Sequence, residues 1–395
     1  MALTVKGLLM GDRPRDVVRR SVIISIISFM TLIDLFGAQA LLPQIIVAFN
    51  SDPGTAGFAV NAATLGMAVS GMTVAWFADR IDRKRGIWLC LALLSIPTAL
   101  LSVTTSIWVF MALRVVQGAL MAAAFTLTAT YLSERCDITA RGGALAAYIT
   151  GNVASNLFGR LAAVTLSDVT SLSGSFLFFA VLNLMGAAFA LVLIGSHDDV
   201  PPMKAGRAID AWKRHFANPA LRSVFGIGFL ILFIFVGVFT YVNLYLVNQL
   251  GLSPMSLGLV YLVFAPAIVT TPMAGNLVRR FGPRNALTLS LSVALASLML
   301  TLSSQIWLVL AGLALLGMAT FAAQAAATGY VSANVSSDRA QANGLYLSSY
   351  YLGGLAGALL LGQVNAHFNW PATVAGVAAA ITFAIVLARS LGSKP

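Results

Sequence analysis

The sequence predicts an all-α membrane protein, with twelve transmembrane helices in two six-helix bundles related by pseudo-symmetry. Three observations predict it. Apolar residues make up 59% and charged residues 9% of the 395, and mean hydropathy is +0.89, whereas a soluble domain carries about a quarter charged residues. Short polar breaks divide the chain into apolar runs of about 20 residues, the length that crosses a hydrocarbon layer of about 30 Å. The second half also repeats the first. Ile107-Trp108 returns as Ile306-Trp307, Tyr131 as Tyr330, and Arg141, Tyr148 and Gly159 as Arg339, Tyr346 and Gly357. The halves are read as residues 1–195 and 221–395, joined by a polar cytoplasmic linker over 196–220.

Taken in order, the first span covers about 21–49, with Pro43 near its outer end. The second, about 56–78, and the third, about 86–104, flank the knot Asp79-Arg80-Ile81-Asp82-Arg83-Lys84-Arg85. Spans follow at about 107–133, 141–166 and 172–195. In the linker, 208–216 has the amphipathic pattern of a helix lying on the membrane surface. The second half places spans at about 221–249, 255–278, 285–303, 306–332, 340–364 and 370–390. Pro266 and Pro272 are expected to bend the eighth, and Gly353, Gly354 and Gly357 to let the eleventh pack closely.

The net charge of +11 is distributed as topology rather than as a nucleic-acid footprint. All of the 24 Lys and Arg residues except Arg114 and Arg160 fall in segments assigned to the cytoplasmic side, as the positive-inside rule requires. Both termini are therefore expected in the cytoplasm, in a chain that meets lipid but no nucleic acid and works as a monomer. Cys90 and Cys136 imply no disulfide framework. His197, His215 and His367 lie outside the span interiors, and no G-K dipeptide exists for a phosphate loop. An embedded enzyme and an ATP-driven pump are thus disfavoured, and no metal or cofactor is expected. A passive channel remains as the uncoupled alternative.

The loop between spans two and three resembles the G-x-x-x-D-R-x-G-R-K signature of the major facilitator superfamily. Asp79, Arg80, Arg83 and Lys84 match it, while Ala75 and Asp82 stand where glycines are usual. Gly275, Arg279, Arg280, Gly282 and Arg284 form its echo between spans eight and nine, with Arg279 replacing the acid. The resemblance implies secondary active transport of a small molecule by alternating access across the cytoplasmic membrane. Asp79, an acid at the end of the second span within reach of Arg141 or other basic residues if the halves close there, is expected to cap or pair across the cytoplasmic seam and to stabilise the outward-facing state. Arg114-Val-Val-Gln117-Gly118 is similar to the R-x-x-Q-G motif of the fourth helix in the bacterial twelve-helix drug/H⁺ antiporters. That likeness implies proton-coupled efflux. Those antiporters carry a Gly-Pro motif in the fifth helix, and the segment from Gly151 to Arg160 has no proline. Proton-coupled uptake or uncoupled passage of a small, anionic solute is the alternative.

Ionisable residues deep in a bilayer are costly and mark function. Asp34, Arg114 and Arg160 are the three, all estimated to lie about 9–12 Å from the outer face at 1.5 Å per residue, in one cluster of net charge +1. Asp34, Arg114 and Gln117 are the expected proton-coupling residues, as the resemblance implies; a static ion pair that holds the first, fourth and fifth helices together is the other reading. Arg160 is placed to bind an anionic group of the solute, to pair with Asp34, or to snorkel outward. The second half offers Tyr241, Asn243, Tyr245, Gln324, Tyr346 and Tyr350 as a solute surface. Tyr241 and Tyr245 share a helix face with Asn248 by i, i+4, i+7 spacing. Packing between helices is the other reading of these side chains.

Overall fold

Span-length helices account for nearly all of the computed structural model, which describes residues 14–77, 81–135, 138–194, 208–252, 254–335 and 338–391. Asp79, Arg80, Cys136 and residues 195–207 of the linker lie outside the described residues. The first half contains α1 (Pro14–Ala40), α2 (Leu42–Ala48), α3 (Pro53–Asn61), α4 (Ala63–Phe77), α5 (Arg83–Leu100), α6 (Ile107–Arg135), α7 (Ile138–Val169) and α8 (Leu172–Leu193). A short α9 (Ala208–Ala217) follows, then α10 (Pro219–Asn248), α11 (Pro254–Val260), α12 (Ala265–Thr270), α13 (Ala274–Leu300), α14 (Ile306–Asn334), α15 (Arg339–Phe368) and α16 (Trp370–Arg389). No strand occurs among the described residues.

Nine segments of the described chain are long and apolar enough to cross a membrane. One of them, Ser256–Leu300, is 45 residues long and turns at Gly282, whose φ of 76° is open to glycine. Expected spans eight and nine meet at that turn. Expected spans three and five also form helices, α5 and α7. The first opens on Arg83-Lys84-Arg85, and the second runs unbroken although Asn152, Asn156 and Arg160 interrupt its apolar sequence. The prolines act where expected. Pro266 and Pro272 accompany 3-10 turns at Tyr261–Phe264 and Thr271–Met273, and Pro43 sits at the break between α1 and α2.

The distribution of polarity suits a lipid solvent. Leu89, Leu93, Ile96 and Leu100 point outward from α5, whereas Asp34, Arg114 and Arg160 are completely buried. Trp108 and Trp307, the repeated tryptophans, are 68% and 78% exposed at the starts of α6 and α14, positions suited to an interfacial aromatic belt.

Helices α1–α8 pack mainly on one another, as do α10–α16. The pairs α1·α7 and α10·α15 are built alike. A Cβ at Gly151 or Gly159 would lie 2.2 or 2.4 Å from the carbonyl oxygens of Ser25 and Ile33. One at Gly353 or Gly357 would lie 1.9 or 2.5 Å from those of Phe229 and Phe233. Serine hydroxyls reinforce both pairs, Ser25 donating to the Ala147 carbonyl at 2.6 Å and Ser349 to the Phe225 carbonyl at 2.9 Å. Small residues allow such close approach in membranes, where dispersion and interhelical hydrogen bonds drive association.

The two groups of helices meet along a seam in which α4 and α3 face α15, and α7 faces the α11–α12 region and α14. Gly71 abuts Ser348 toward one end of the seam, and Gly57 lies against Tyr241 toward the other. The space between them is about 20 Å³, room for about one water. The molecule is therefore closed around its centre. A larger recess of about 460 Å³ faces outward between α13 and α14 and is not part of the seam. Outside the bundles, α9 is held against the start of α15 by an Arg214–Asp338 ion pair of 2.7 Å.

Candidate functional site

The break between α3 and α4 begins the site. Val60 lies in the last turn of α3, where helical carbonyls lack partners in their own helix. Arg114 of α6 supplies one, with Nε and Nη2 donating to the Val60 carbonyl at 3.0 and 2.9 Å. Its Nη1 donates to Gln117 Oε1 at 2.8 Å. Gly118 makes this reach possible, because a Cβ there would sit 1.8 Å from the Ala63 carbonyl oxygen. The spacing of Arg114, Gln117 and Gly118 thus has one physical cause: close approach of α6 to the α3–α4 break, and a fork that fills it. Gly118→Val is expected to force these backbones apart, a cost of about 1–3 kcal/mol or more. Loss of monodisperse protein after detergent extraction would report it.

Gln117 passes the contact on. Its Nε2 donates to Asp34 Oδ2 at 3.2 Å and to Thr98 Oγ1 at 2.6 Å. Asn183 Nδ2 donates to the same carboxylate oxygen at 3.2 Å and to Thr98 at 3.1 Å. The Thr98 hydroxyl lies 3.2 Å from Asp34 Oδ2 and 2.8 Å from the Leu94 carbonyl, either of which can take its proton. Asp34 Oδ1 is buried without a hydrogen-bond partner. Thus α1, α5, α6 and α8 each contribute one side chain to a closed polar nest. No ion pair joins Asp34 and Arg114 among the described residues, because Gln117 stands between them.

Arg160 lies elsewhere, and the single three-charge cluster expected from depth is corrected. Gln39 lies five positions after Asp34, which turns the two to different sides of α1 at about 100° per residue. Asp34 faces the interior of its own bundle, whereas Gln39 faces the seam. Arg160 Nη2 donates to Gln39 Oε1 at 2.6 Å and Nε to Asn156 Oδ1 at 2.9 Å, while Nη1 has no hydrogen-bond partner. Arg160 neither snorkels nor pairs with Asp34. Its guanidinium lies over Tyr261 and beside Phe264, from the far side of the seam, and beside Phe36.

The candidate solute surface of the second half divides. Tyr350 lines the central cavity, and Tyr346 stacks on it with centroids 6.2 Å apart. Asn243 donates to the Tyr261 hydroxyl at 3.0 Å, next to Arg160. Gln324 is buried, with Oε1 unpartnered. The expected face of Tyr241, Tyr245 and Asn248 does not form. Tyr241 donates to the Ala358 carbonyl, Tyr245 donates to the Ser303 carbonyl at 3.1 Å and stacks on Trp370, and Asn248 is exposed. Shared spacing on one helix did not make a shared partner, because two different neighbours take the two tyrosines. Tyr241→Phe is expected to lower stability by about 1 kcal/mol, one net hydrogen bond, with solute exchange unchanged; thermal unfolding and counterflow measure the two.

In the second basic loop, Arg279 donates to Asn276, and Arg280 lies over Phe281 with its guanidinium carbon 5.3 Å from the ring centroid. Gly275 has open space around it, and the Thr288 hydroxyl donates to the Arg284 carbonyl. In the first loop, Asp82 accepts from the Arg85 amide at 2.6 Å and so caps α5, a task that a glycine could not perform. Arg83 reaches back to the Ile81 carbonyl, and Lys84 begins α5 beside it.

The sequence comparisons match this architecture. The Major Facilitator Superfamily model aligns with residues 24–268 and 259–394. The chain belongs to this superfamily. Its relatives include an uncharacterized transporter of Buchnera aphidicola, 23% identical over 90% of this chain and 87% of the relative. The uncharacterized MFS-type transporter YybF of Bacillus subtilis is 24% identical over 91% and 89%. The inner membrane transport protein YnfM of Escherichia coli is 26% identical over 91% and 86%. The crystal structure of the human organic anion transporter MFSD10 superposes with a TM-score of 0.75 at 15% identity, covering 94% of this chain and 98% of that one. The superfamily member described here is thus a multi-pass membrane transporter. Thr98, Asn183, Gln39 and Asn156 escaped the sequence reading, the only signal being isolated neutral polar residues in apolar runs.

Proposed function

We propose that the chain couples export of a small solute to proton entry, with Asp34 as the proton carrier and alternating access at the seam. One observation carries this reading: the Asp34 carboxylate has one oxygen held by neutral donors and the other unpartnered. An acid locked in a direct ion pair would resist protonation. An acid in a neutral nest has a seat for the proton and keeps its hydrogen bonds in either state. Dryness favours the neutral carboxyl, and a nearby cation favours the carboxylate. Gln117 joins Asp34 to Arg114, so a rotation of α6 or α1 that changes hydration or this linkage would move the balance. The cytoplasmic placement of the basic loops and both termini belongs to this proposal.

The test is transport by the purified chain in proteoliposomes carrying an internal pH dye. Addition of an accepted solute under an imposed gradient should move protons opposite to the solute. Proton movement in the same direction would replace export by symport. Solute flux without proton movement would leave an uncoupled facilitator.

A further inference from the structure

We propose that the seam takes a small organic monoanion, whose anionic group binds Arg160 and whose apolar or aromatic body lies against Phe36, Tyr261 and Phe264. The inference rests on the reading of the seam as the solute path. Arg160 is completely buried, and among the described residues no carboxylate lies within ion-pair distance of it. A buried charge without a counter-ion is costly, and here only neutral groups offset it. Gln39 and Asn156 accept from Nη2 and Nε, while Nη1 stays unused. Three rings surround the guanidinium, with centroids 4.9 Å (Tyr261), 5.7 Å (Phe264) and 5.9 Å (Phe36) from its carbon.

Position makes this a site for a travelling anion rather than a static feature. Phe36 and Gln39 both touch Arg160 and line the central cavity. Asn152 also lines that cavity, and Asn152, Asn156 and Arg160 follow each other at four-residue steps along α7. The Gln39 carbonyl occupies the place an anionic oxygen would take, while Gln39 Nε2 is tied to Asn61 Oδ1 at 2.9 Å. Tyr261 and Phe264 belong to the opposite side of the seam. Separation there would lift two rings off the guanidinium and open it to the path. Among the described residues one positive charge is on offer at the seam, because Arg114 spends its donors on Val60 and Gln117. A monoanion neutralises it, a dianion would bury an excess charge, and a cation would meet repulsion.

Three small probes of similar shape separate these cases: benzenesulfonate, neutral benzenesulfonamide and phenyltrimethylammonium. Binding is measured by titration calorimetry on the full chain in detergent at pH 7, with no gradient. Benzenesulfonate is expected to bind about tenfold tighter or better than the other two. Gln39→Glu places a fixed carboxylate on Arg160. It should weaken benzenesulfonate by about tenfold or more while the thermal unfolding temperature is kept or raised. Gln39→Leu removes the competing carbonyl and should retain the preference for the anion. Equal binding of the three probes, no binding of benzenesulfonate, or undiminished affinity in a folded Gln39→Glu chain would overturn the proposal. Asp34 is untouched and no gradient is applied, so these outcomes are independent of proton coupling. Conversely, loss of proton coupling in vesicles would leave the binding result standing.

Discussion

Asp34→Asn is expected to reduce pH-driven solute accumulation to the level of empty vesicles, with solute exchange still measurable. The amide is nearly isosteric with the carboxyl. Its oxygen takes the Oδ2 position, where Thr98, Gln117 and Asn183 converge. Its NH₂ takes the Oδ1 position, which has no partner to offend. Folding should therefore survive, and the site is fixed in a state resembling the protonated one. A carrier that cannot release its proton cannot use the gradient, but it can still alternate with solute bound. Accumulation of solute against its own gradient by the folded variant would place the proton elsewhere.

Much of the fold was legible because the bilayer acts on local sequence. Every backbone group inside lipid must be bonded within helices, so apolar length and basic loops reveal spans without knowledge of tertiary contacts. The repeated Gly159 and Gly357 marked the two halves as related, and the structure sets each glycine against the backbone of a neighbouring helix. Among the charges, Asp34 and Arg114 stood out because an ionised side chain in an apolar run has few cheap explanations. Neutral groups carry no such signal. Asn183 and Thr98 look like ordinary helix residues until α5 and α8 are rotated toward Asp34. Sequence depth placed Arg160 level with Asp34 but not on which side of α1 it would meet a partner. Azimuth around a helix axis depends on packing with neighbours remote in sequence, and it separated a proton nest from a seam site. The same limit undid the Tyr241–Tyr245–Asn248 face.

Arg114→Ala is expected to be the most destabilising single change in the nest. It removes both donors from the Val60 carbonyl and the donor to Gln117 Oε1, all buried. Each acceptor left unpaired costs about 1–3 kcal/mol, and the lost side chain leaves a void between α6 and the α3–α4 break. Removing one member of a directly paired buried ion pair costs about 3–5 kcal/mol; here Gln117 intervenes, so part of that electrostatic loss is spared. The double variant with Asp34→Asn separates the contributions. If the Arg114 charge supports the Asp34 carboxylate through Gln117, neutralising Asp34 should return part of the lost stability, and the two changes will not add. Arg114→Lys should fall between wild type and alanine, because an ammonium keeps the charge but lacks the fork that bonds Val60 twice and Gln117 once. Thermal unfolding of the four chains in detergent measures the coupling. Strict additivity would mean that Gln117 isolates the two charges, and that Arg114 serves only to close the break between α3 and α4.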